Sequence, residues 1–381
     1  MTHAELTEAD WTEIVGRLGG ARMLEQEARA TGALQRARAV KCGVDLLRLI
    51  LAYCLGAVGL RATAAWAETV GLASLSNVAL LGRLRNAVPW LESILARLLA
   101  QVAAGTRGAV AGGRLIRLVD ATTVRKAGKS ARESGRLWRV HAVFDLPTER
   151  FSAFELTDEK EAERIDRMAV VAGEIRIGDA VHCRADELAD VMAQGGDPLV
   201  RAGWTSARWL DEHGRACDII RELTKSTTGV IDRPVWLGRK QAGAAPVPMR
   251  LVAIKMPKDK AVKAVAEARA EAKSKQRNIM PGTLIAAEWV ILITSLDRTE
   301  YPTETVLELY RLRWRIEIAF KRMKSLAGLA GPPGECPEVA KAWVLCHLIA
   351  VLLTEVELAA LGDSPRRAVA HVPTYGALSA C

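Results

Sequence analysis

Features that would identify several common classes of protein are scarce or missing in this sequence. The seven cysteines form no Cys-X-X-Cys pair and are odd in number, which indicates free thiols in a reducing cytosol. The amino terminus is acidic and polar, whereas a signal peptide is basic and then apolar. The most apolar late run, residues 344–353, is too short to span a bilayer. We therefore expect a cytoplasmic protein with no membrane association, in which 344–353 is a buried helix.

Motifs for nucleotide binding and for several kinds of catalysis are also missing. The glycine-rich stretch at 108–114 lacks the Lys-Ser/Thr of a phosphate-binding loop. His182 and Cys183 have no second pair at the spacing of a zinc site. No motif supports Ser-His-Asp chemistry.

Acidic residues are outnumbered by basic ones. The chain has 53 Lys and Arg against 44 Asp and Glu, a net charge of +9. A basic balance of this size indicates nucleic acid or another polyanion as a candidate partner. With 381 residues, the chain is long enough for two or three compact units.

The first hundred residues have helical spacing. Residues 66–85 predict a helix, a tight turn at Gly71 and a second helix capped by Ser74 or Ser76. This is the shape of a DNA-binding helix-turn-helix, with Arg83 and Arg85 late in the second helix. A helical hairpin that packs only on its neighbours fits the same pattern.

An α/β pattern follows. Alternating apolar residues predict strands, and two stretches between them, 158–172 and 185–195, predict helices. The predicted strands are 115–120, 137–145, 151–157, 174–179, 197–203, 233–238, 249–256 and 287–296. A basic link at 121–136 contains Arg125, Lys126, Lys129, Arg132 and Arg136. Helices are also predicted at 257–276, at 303–327 and at 338–362.

One predicted helix has an unusual distribution of charge. Residues 310–324, YRLRWRIEIAFKRMK, place a single acid among six basic side chains. At 100° per residue, one polar stripe of this helix contains Tyr310, Arg313, Glu317, Lys321 and Lys324. A solvated helix with salt bridges from Glu317 to its neighbours is one interpretation. A carboxylate that binds a divalent metal beside a phosphate, with cations holding the phosphate, is the other.

Two further acids favour the metal hypothesis. Asp120 closes the predicted strand LIRLVD, and Asp179 closes EIRIGD. A carboxylate at the end of a strand lies where ligands gather in α/β folds. Each Asp taken alone also fits a turn or a helix cap.

The spacing of these residues resembles a known family. Tyr310, Arg313, Glu317 and Lys324 match the YREK signature of the DDE transposases of bacterial insertion sequences, in the IS-four group. VDATTV around Asp120, IRIGD at Asp179, WVILITSL before the signature and residues 76–91 agree as well, so the resemblance covers roughly 110–330 and part of the amino-terminal region. There are two departures: Ala121 stands where Gly is common, and Ala180, Val181 and His182 replace an Arg-Gly-Tyr-like stretch.

The resemblance implies an α/β protein with an RNase H-like core, a mixed sheet with flanking helices. A mainly β insertion is expected to interrupt this core, with an all-α domain before it and a helical tail after it. The implied divisions are an amino-terminal helical DNA-binding domain (1–108), a first part of the core (109–203), a basic β-rich insertion (204–286), a second part of the core with the signature helix (287–330) and a carboxy-terminal helical region (331–381).

The resemblance also implies an activity and its residues. Asp120, Asp179 and Glu317 would be the catalytic metal ligands, for two Mg²⁺ or Mn²⁺ ions per active site that support cleavage and strand transfer of DNA. The residues expected to contact DNA are Tyr310, Arg313, Lys321, Lys324, Arg125, Lys126 and Trp289. Trp289 is the leading candidate for stacking on an extruded base, with Trp204, Trp209 and Trp236 as competitors.

The expected partners are the terminal inverted repeats of an element and its target DNA. A homodimer is expected on the DNA ends, with the protein associated with the bacterial nucleoid when it acts. The alternative function is that of an inactive or domesticated relative, which binds specific DNA without cutting it.

Overall fold

A computed structural model of the chain describes residues 8–56, 58–109, 113–126, 137–241, 243–325, 327–329, 331–333 and 336–360, and it omits the side chains of 106–109 and 358–360. Three basic residues of the link at 121–136, namely Lys129, Arg132 and Arg136, lie outside this range. Residue 326 of the helix predicted to reach 327 and residues 361–362 of the helix predicted to reach 362 lie outside it as well. The described chain is an α/β protein with one nine-stranded mixed sheet.

Six helices precede the sheet. They are α1 (Glu8–Arg17), α2 (Gly20–Ala30), α3 (Gly43–Leu55), α4 (Leu60–Thr69), α5 (Asn77–Asn86) and α6 (Val88–Ala109). The predicted hairpin is confirmed as α4 and α5, since the Ser76 hydroxyl accepts a hydrogen bond from the Ala79 amide at 3.2 Å and Gly71 has a φ of 69°. Arg83 donates to the Arg36 carbonyl and Arg85 to the Cys336 sulfur, so both arginines contact the protein itself.

The strands form a single sheet in the order β3-β2-β1-β4-β5-β9-β8-β7-β6. Their bounds are β1 (Ile116–Arg125), β2 (Leu137–Asp145), β3 (Arg150–Asp158), β4 (Ile175–Gly178), β5 (Asp197–Arg201), β6 (Arg208–Leu210), β7 (Val230–Gly238), β8 (Val247–Lys255) and β9 (Trp289–Thr294). Strands β1, β4 and β5 are parallel to one another, and every other neighbouring pair is antiparallel. All the strands predicted from the sequence are present, and β6 is additional.

The remaining helices lie between and after the strands. They are α7 (Ala185–Ala193), α8 (Ile219–Lys225), α9 (Lys258–Ser274), α10 (Pro281–Ala287), α11 (Thr303–Arg311), α12 (Trp314–Ser325) and α13 (Pro337–Ala360). The region 204–286 therefore contains three helices as well as three strands. The expectation of a mainly β insertion is wrong, and its strands extend the main sheet through β9 instead of forming a second sheet.

Apolar side chains form two cores. The first core joins the amino-terminal helices, β1 to β4 and helices α11 to α13, and it includes the fully buried Trp90. The second core joins α7 and α8 to β7, β8 and β9. In the described residues, Pro337–Glu357 is long and apolar enough to cross a membrane, but 67% of it is buried inside the structure. The prediction of a buried helix at 344–353 is confirmed.

The helix predicted at 158–172 is absent, and a buried arginine explains why. Arg176, fully buried on β4, donates to the carbonyls of Ile165 at 2.9 Å, Met168 at 2.7 Å and Ala169 at 2.8 Å. Its Nε also donates to Glu174 at 2.5 Å. These carbonyls are satisfied by a side chain and not by the i to i−4 pattern of a helix. The loop is therefore organised around Arg176.

Replacing Arg176 should destabilise the whole fold. We expect Arg176→Ala to lower the free energy of unfolding by about 3–5 kcal/mol, because it leaves three carbonyls buried without their partner and the buried Glu174 with Arg117 as its one remaining arginine. Arg215→Ala is the control, since Arg215 forms an exposed ion pair with Asp211 and should cost less than about 1 kcal/mol. Urea denaturation measures both, and equal losses would contradict the role given to Arg176.

Candidate active site

The first two predicted acids lie on neighbouring parallel strands. Leu118 of β1 is paired with Ile177 of β4, so Asp120 and Asp179, each two residues further along, come side by side. The sequence predicted that Asp120 ends its strand, but β1 continues to Arg125. Pairing with β2 continues from Asp120 to Arg125 and keeps β1 extended beyond the point where β4 ends. Both acids nevertheless lie beside the end of β4.

A short 3₁₀ helix fixes the orientation of Asp179. This residue caps the turn Ala180–His182, and its Oδ1 atom accepts hydrogen bonds from the Val181 amide at 3.0 Å and from His182 Nδ1 at 2.9 Å. His182 is 1% exposed and so cannot turn away freely. The stretch after Asp179, which departs from the family pattern, therefore builds a cap that holds this carboxylate.

The two carboxyl groups have different proton affinities. Burial, together with the nearby charge of Asp179 and against the opposing effect of the Ala121 amide, raises the pKa of Asp120 to about 6. Burial would also raise the pKa of Asp179, but the hydrogen bond and charge of His182 hold it below its usual value. Two acids side by side thus repel each other in their charged forms. A cation between them would relieve that repulsion.

Glu317 reaches the site from a broken helix. The single helix predicted at 303–327 is interrupted between α11 and α12, where hydrogen bonds link residues three apart. The Arg313 amide donates to the Tyr310 carbonyl at 3.1 Å, and the Ile316 amide donates to the Arg313 carbonyl at 3.2 Å. This tighter winding puts Tyr310 at the end of one helix and Glu317 in the first turn of the next. Such interruptions within a helix often accompany functional sites.

Arg313 lies between the third acid and the first two. Its guanidinium donates to Glu317 Oε1 at 2.6 Å, and another nitrogen lies 4.0 Å from Asp120 Oδ2. The Cζ atom of the same guanidinium lies 6.0 Å from the centre of the Tyr310 ring. In the part of the chain that the structure describes, no three His, Cys, Asp or Glu side chains are close enough together to hold a metal ion. Arg313 places a positive charge between Asp120 and Glu317.

The structure separates the other predicted contact residues into two groups. Lys321, Lys324 and Arg125 have exposed side chains. Lys126 is 6% exposed, bonds to Asp158 at 2.6 Å and lies over the Trp138 ring. Its ammonium is therefore engaged inside the protein, which contradicts the expected contact with DNA.

Burial also contradicts the stacking role expected of Trp289. This residue is 2% exposed and lies in the second core, because β9 runs through the middle of the sheet. Of its competitors, Trp209 is buried, and Trp204 and Trp236 are partly buried. Trp314 was missed from the sequence, although it lies three residues before Glu317 and is 54% exposed. The i, i+3 spacing, which places two side chains on one helix face, was the available signal.

Comparisons with known proteins show which family the chain resembles. The family of transposase DDE domains matches residues 111–353. InsL of insertion sequence element IS186A, from Escherichia coli strain K12, is 40% identical over 363 residues, which cover 94% of this chain and 96% of InsL. The transposase for insertion sequence element IS421 of Escherichia coli is 40% identical over 364 residues, with the same coverage of 94% and 96%. The transposase for insertion sequence element IS231F of Bacillus thuringiensis subsp. israelensis is 35% identical over 94 residues, 25% of this chain and 18% of that protein.

If Arg313 takes the place of a cation, its removal should favour metal binding. We expect Arg313→Ala to bind Mn²⁺ at least about tenfold more tightly without DNA, since a positive charge about 4 Å from a carboxylate is worth several kcal/mol at a protein surface. Isothermal titration calorimetry measures the affinity. Arg311→Ala, which removes an exposed arginine two residues away, is the control. Unchanged or weaker Mn²⁺ binding by Arg313→Ala would contradict the interpretation.

Acid should destabilise the sheet next to the site through His141. Burial, and then the charges of Arg167 and Arg139, lower the pKa of His141 from 6.5 to about 4. The folded state thus favours the neutral ring, and stability present above pH 6.5 is lost as the pH falls towards 4. Between about pH 7 and 4.5 we expect a loss of about 2–3 kcal/mol from this residue. Denaturation at several pH values measures the free energy of unfolding, which should fall less steeply with decreasing pH in His141→Gln than in the wild type. Parallel pH profiles for the two proteins would contradict the prediction.

Proposed function

The chain belongs to the family of bacterial insertion-sequence transposases with a DDE domain, and from this premise we propose that it cuts and joins DNA at the ends of its own element by metal-dependent phosphoryl transfer. Proteins of this family generally use divalent metal ions. The observation that carries the proposal is the pair formed by Asp120 and Asp179 on adjacent parallel strands, with Arg313 and Glu317 against it.

The proposed core is RNase H-like, and the strand order supports it. The succession β3-β2-β1-β4-β5, with an antiparallel meander joined to parallel β4 and β5, is a mixed sheet with the first acid on its central strand. Helices α6 and α13 pack on one face. The divisions at 109–203, 204–286 and 287–330 follow from the same proposal, with the middle segment adding strands to one edge of the sheet.

The donor set fits a hard divalent cation. Asp120 and Asp179 offer carboxylate oxygens side by side, and Glu317 is a third such ligand once Arg313 leaves it. Mg²⁺ and Mn²⁺ prefer oxygen ligands, and two ions per site are proposed. Bound metal would activate the attacking oxygen and stabilise the charge on the phosphate that is cut.

The chain's own residues would position the DNA. Asp179 is held by His182 and the Val181 amide, so one ligand is oriented before DNA arrives. We propose that Arg313 exchanges its bond with Glu317 for a phosphate oxygen of the DNA, while Lys321 and Lys324 bind the phosphates on either side. Positioning of this kind can account for much of the acceleration in phosphoryl transfer.

Trp314 replaces Trp289 in the proposed contact with a base. Its exposed indole lies one helical turn from Glu317, at the place where DNA would pass the acids. An unstacked base is stabilised by about 1–3 kcal/mol on an aromatic face. The buried Trp289 has no such face available.

Joining two ends requires two sites at once. The described part of each chain has one acid pair of this kind, so we propose that two copies assemble on the two ends of the element. The proposed place of action is the bacterial cytoplasm, on the nucleoid. The terminal repeats and target DNA are the proposed partners.

Cleavage should depend on metal and on Glu317. With Mg²⁺, the wild-type protein should nick duplex DNA that carries the terminal repeats of its element, and EDTA should prevent this. Glu317→Gln should slow nicking at least about a hundredfold, because a neutral amide cannot replace a charged metal ligand. Glu308→Gln removes an exposed acid on α11 and should have little effect.

The result also decides between the two functions. Binding of the ends without metal-dependent nicking by the wild-type protein would contradict the catalytic proposal. It would instead favour the alternative of a DNA-binding relative that does not cut.

A further inference from the structure

A line of paired residues crosses the sheet from Asp179 to β7. The pairing places Arg201 of β5, Leu292 of β9, Val252 of β8 and Asp232 of β7 in one line across the strands. Because Gly178 pairs with Val200, the residue before Arg201, this line begins beside Asp179. We call this side of the sheet the catalytic edge. The start of β7 therefore shares an edge with the candidate active site.

An open groove of about 620 Å³ lies at the β7 end of this edge. It is formed by the last turn of α8, the following loop and the first residues of β7, and none of its lining residues is aromatic. The loop supplies three consecutive hydroxyls at 226–228, and α8 supplies the exposed cations Arg221 and Lys225. Cations together with hydroxyls, in a groove without aromatic lining residues, suit a phosphate more than a base.

The acids in the groove are already neutralised. Glu222 receives two bonds from Arg233, at 2.9 and 2.6 Å, and Asp232 receives two from Arg250, at 2.8 and 2.7 Å. By contrast, neither Arg221 nor Lys225 forms an ion pair with any residue in the described ranges. The groove thus presents two uncommitted positive charges to solvent.

Its distance from the active site matches a short length of DNA. The four steps from β4 to β7 span roughly 19 Å at about 4.8 Å per strand. At about 3.4 Å per base pair, this is a path of five or six base pairs along a duplex. Arg201 and Lys255, both exposed, lie along the same edge between the two sites.

We propose that this groove is a second binding site for the phosphodiester backbone of the DNA that is cut, five or six base pairs from the scissile phosphate. The proposal rests on the proposed function, and it adds a contact through Arg221, Lys225 and the hydroxyls of Ser226 and Thr227. The groove then sets the direction in which the duplex leaves the active site along the catalytic edge.

The test compares two double variants of the full-length protein that change charge equally. Arg221→Gln/Lys225→Gln alters the groove. Arg208→Gln/Lys240→Gln removes one exposed arginine and one exposed lysine at the opposite edge of the sheet, where β6 begins and β7 has ended. Thr227→Glu is a second groove variant, which adds a negative charge at an exposed position. Thermal unfolding checks that all variants fold.

Binding is measured without divalent metal at several salt concentrations. Duplexes carry the element's end, and they are shortened from each side to within three base pairs of the scissile phosphate. On long DNA, the slope of log K against log salt should be less steep for the groove variant by about 1.8, because two phosphate contacts are removed and each contributes about 0.9. Its affinity should fall about tenfold or more. On DNA shortened from the side that reaches the groove, it should bind like wild type.

Each outcome decides the proposal. The expected pattern, shared by Thr227→Glu and absent from the control pair, supports it. A groove variant that keeps the wild-type slope on long DNA overturns it, and so does an equal loss on long and short DNA. If the wild-type protein nicks DNA with Mg²⁺ while the groove variant gives either of these two results, the groove proposal is wrong and the proposed function stands. If wild type neither binds nor nicks the ends, the proposed function fails as well.

Discussion

The site depends on the repulsion between two carboxylates that parallel pairing forces together. With β1 and β4 in this register, Asp120 and Asp179 cannot avoid each other. The chain limits the cost in two ways: His182 stabilises the charge of Asp179, and burial favours the protonated form of Asp120. A site that contains unfavourable charge repulsion is suited to attract a cation, since binding relieves a cost already present in the fold.

Arg313 supplies part of that compensation in the structure described. Its position follows from the break between α11 and α12, because a continuous helix would carry the guanidinium along a straight stripe with Glu317 and Lys321. The interruption draws it towards Asp120 while it keeps its bond to Glu317. Under the proposed function, the same arginine would neutralise acids in the absence of DNA and bind phosphate in its presence. Such an exchange couples assembly of the site to arrival of the substrate.

Local pattern was enough to predict the strands, and tertiary contacts account for the errors. Alternating apolar residues identified the strands around Asp120 and Asp179, since that signal is local. The break before Trp314 leaves the helical period of the sequence intact, so periodicity could not reveal it. The loop at 158–172 is shaped by Arg176, which comes later in the chain. The burial of Trp289 depends on β9 lying between β5 and β8, a position that spacing alone does not specify.

The continuity of the sheet holds the region 204–286 in a fixed position relative to the acids. As a separate domain on flexible links, it could move relative to the acids, and any DNA contact it made would constrain the active site only weakly. Strand pairing through β9 instead fixes β7 and β8 to β5 by backbone hydrogen bonds, and the second core packs against the same strands. Cations on α8 and the acids on β1 and β4 are therefore held at a nearly constant separation. A duplex bound at both points is then positioned along its length, and a small error in placing the scissile phosphate can cost a large part of the rate.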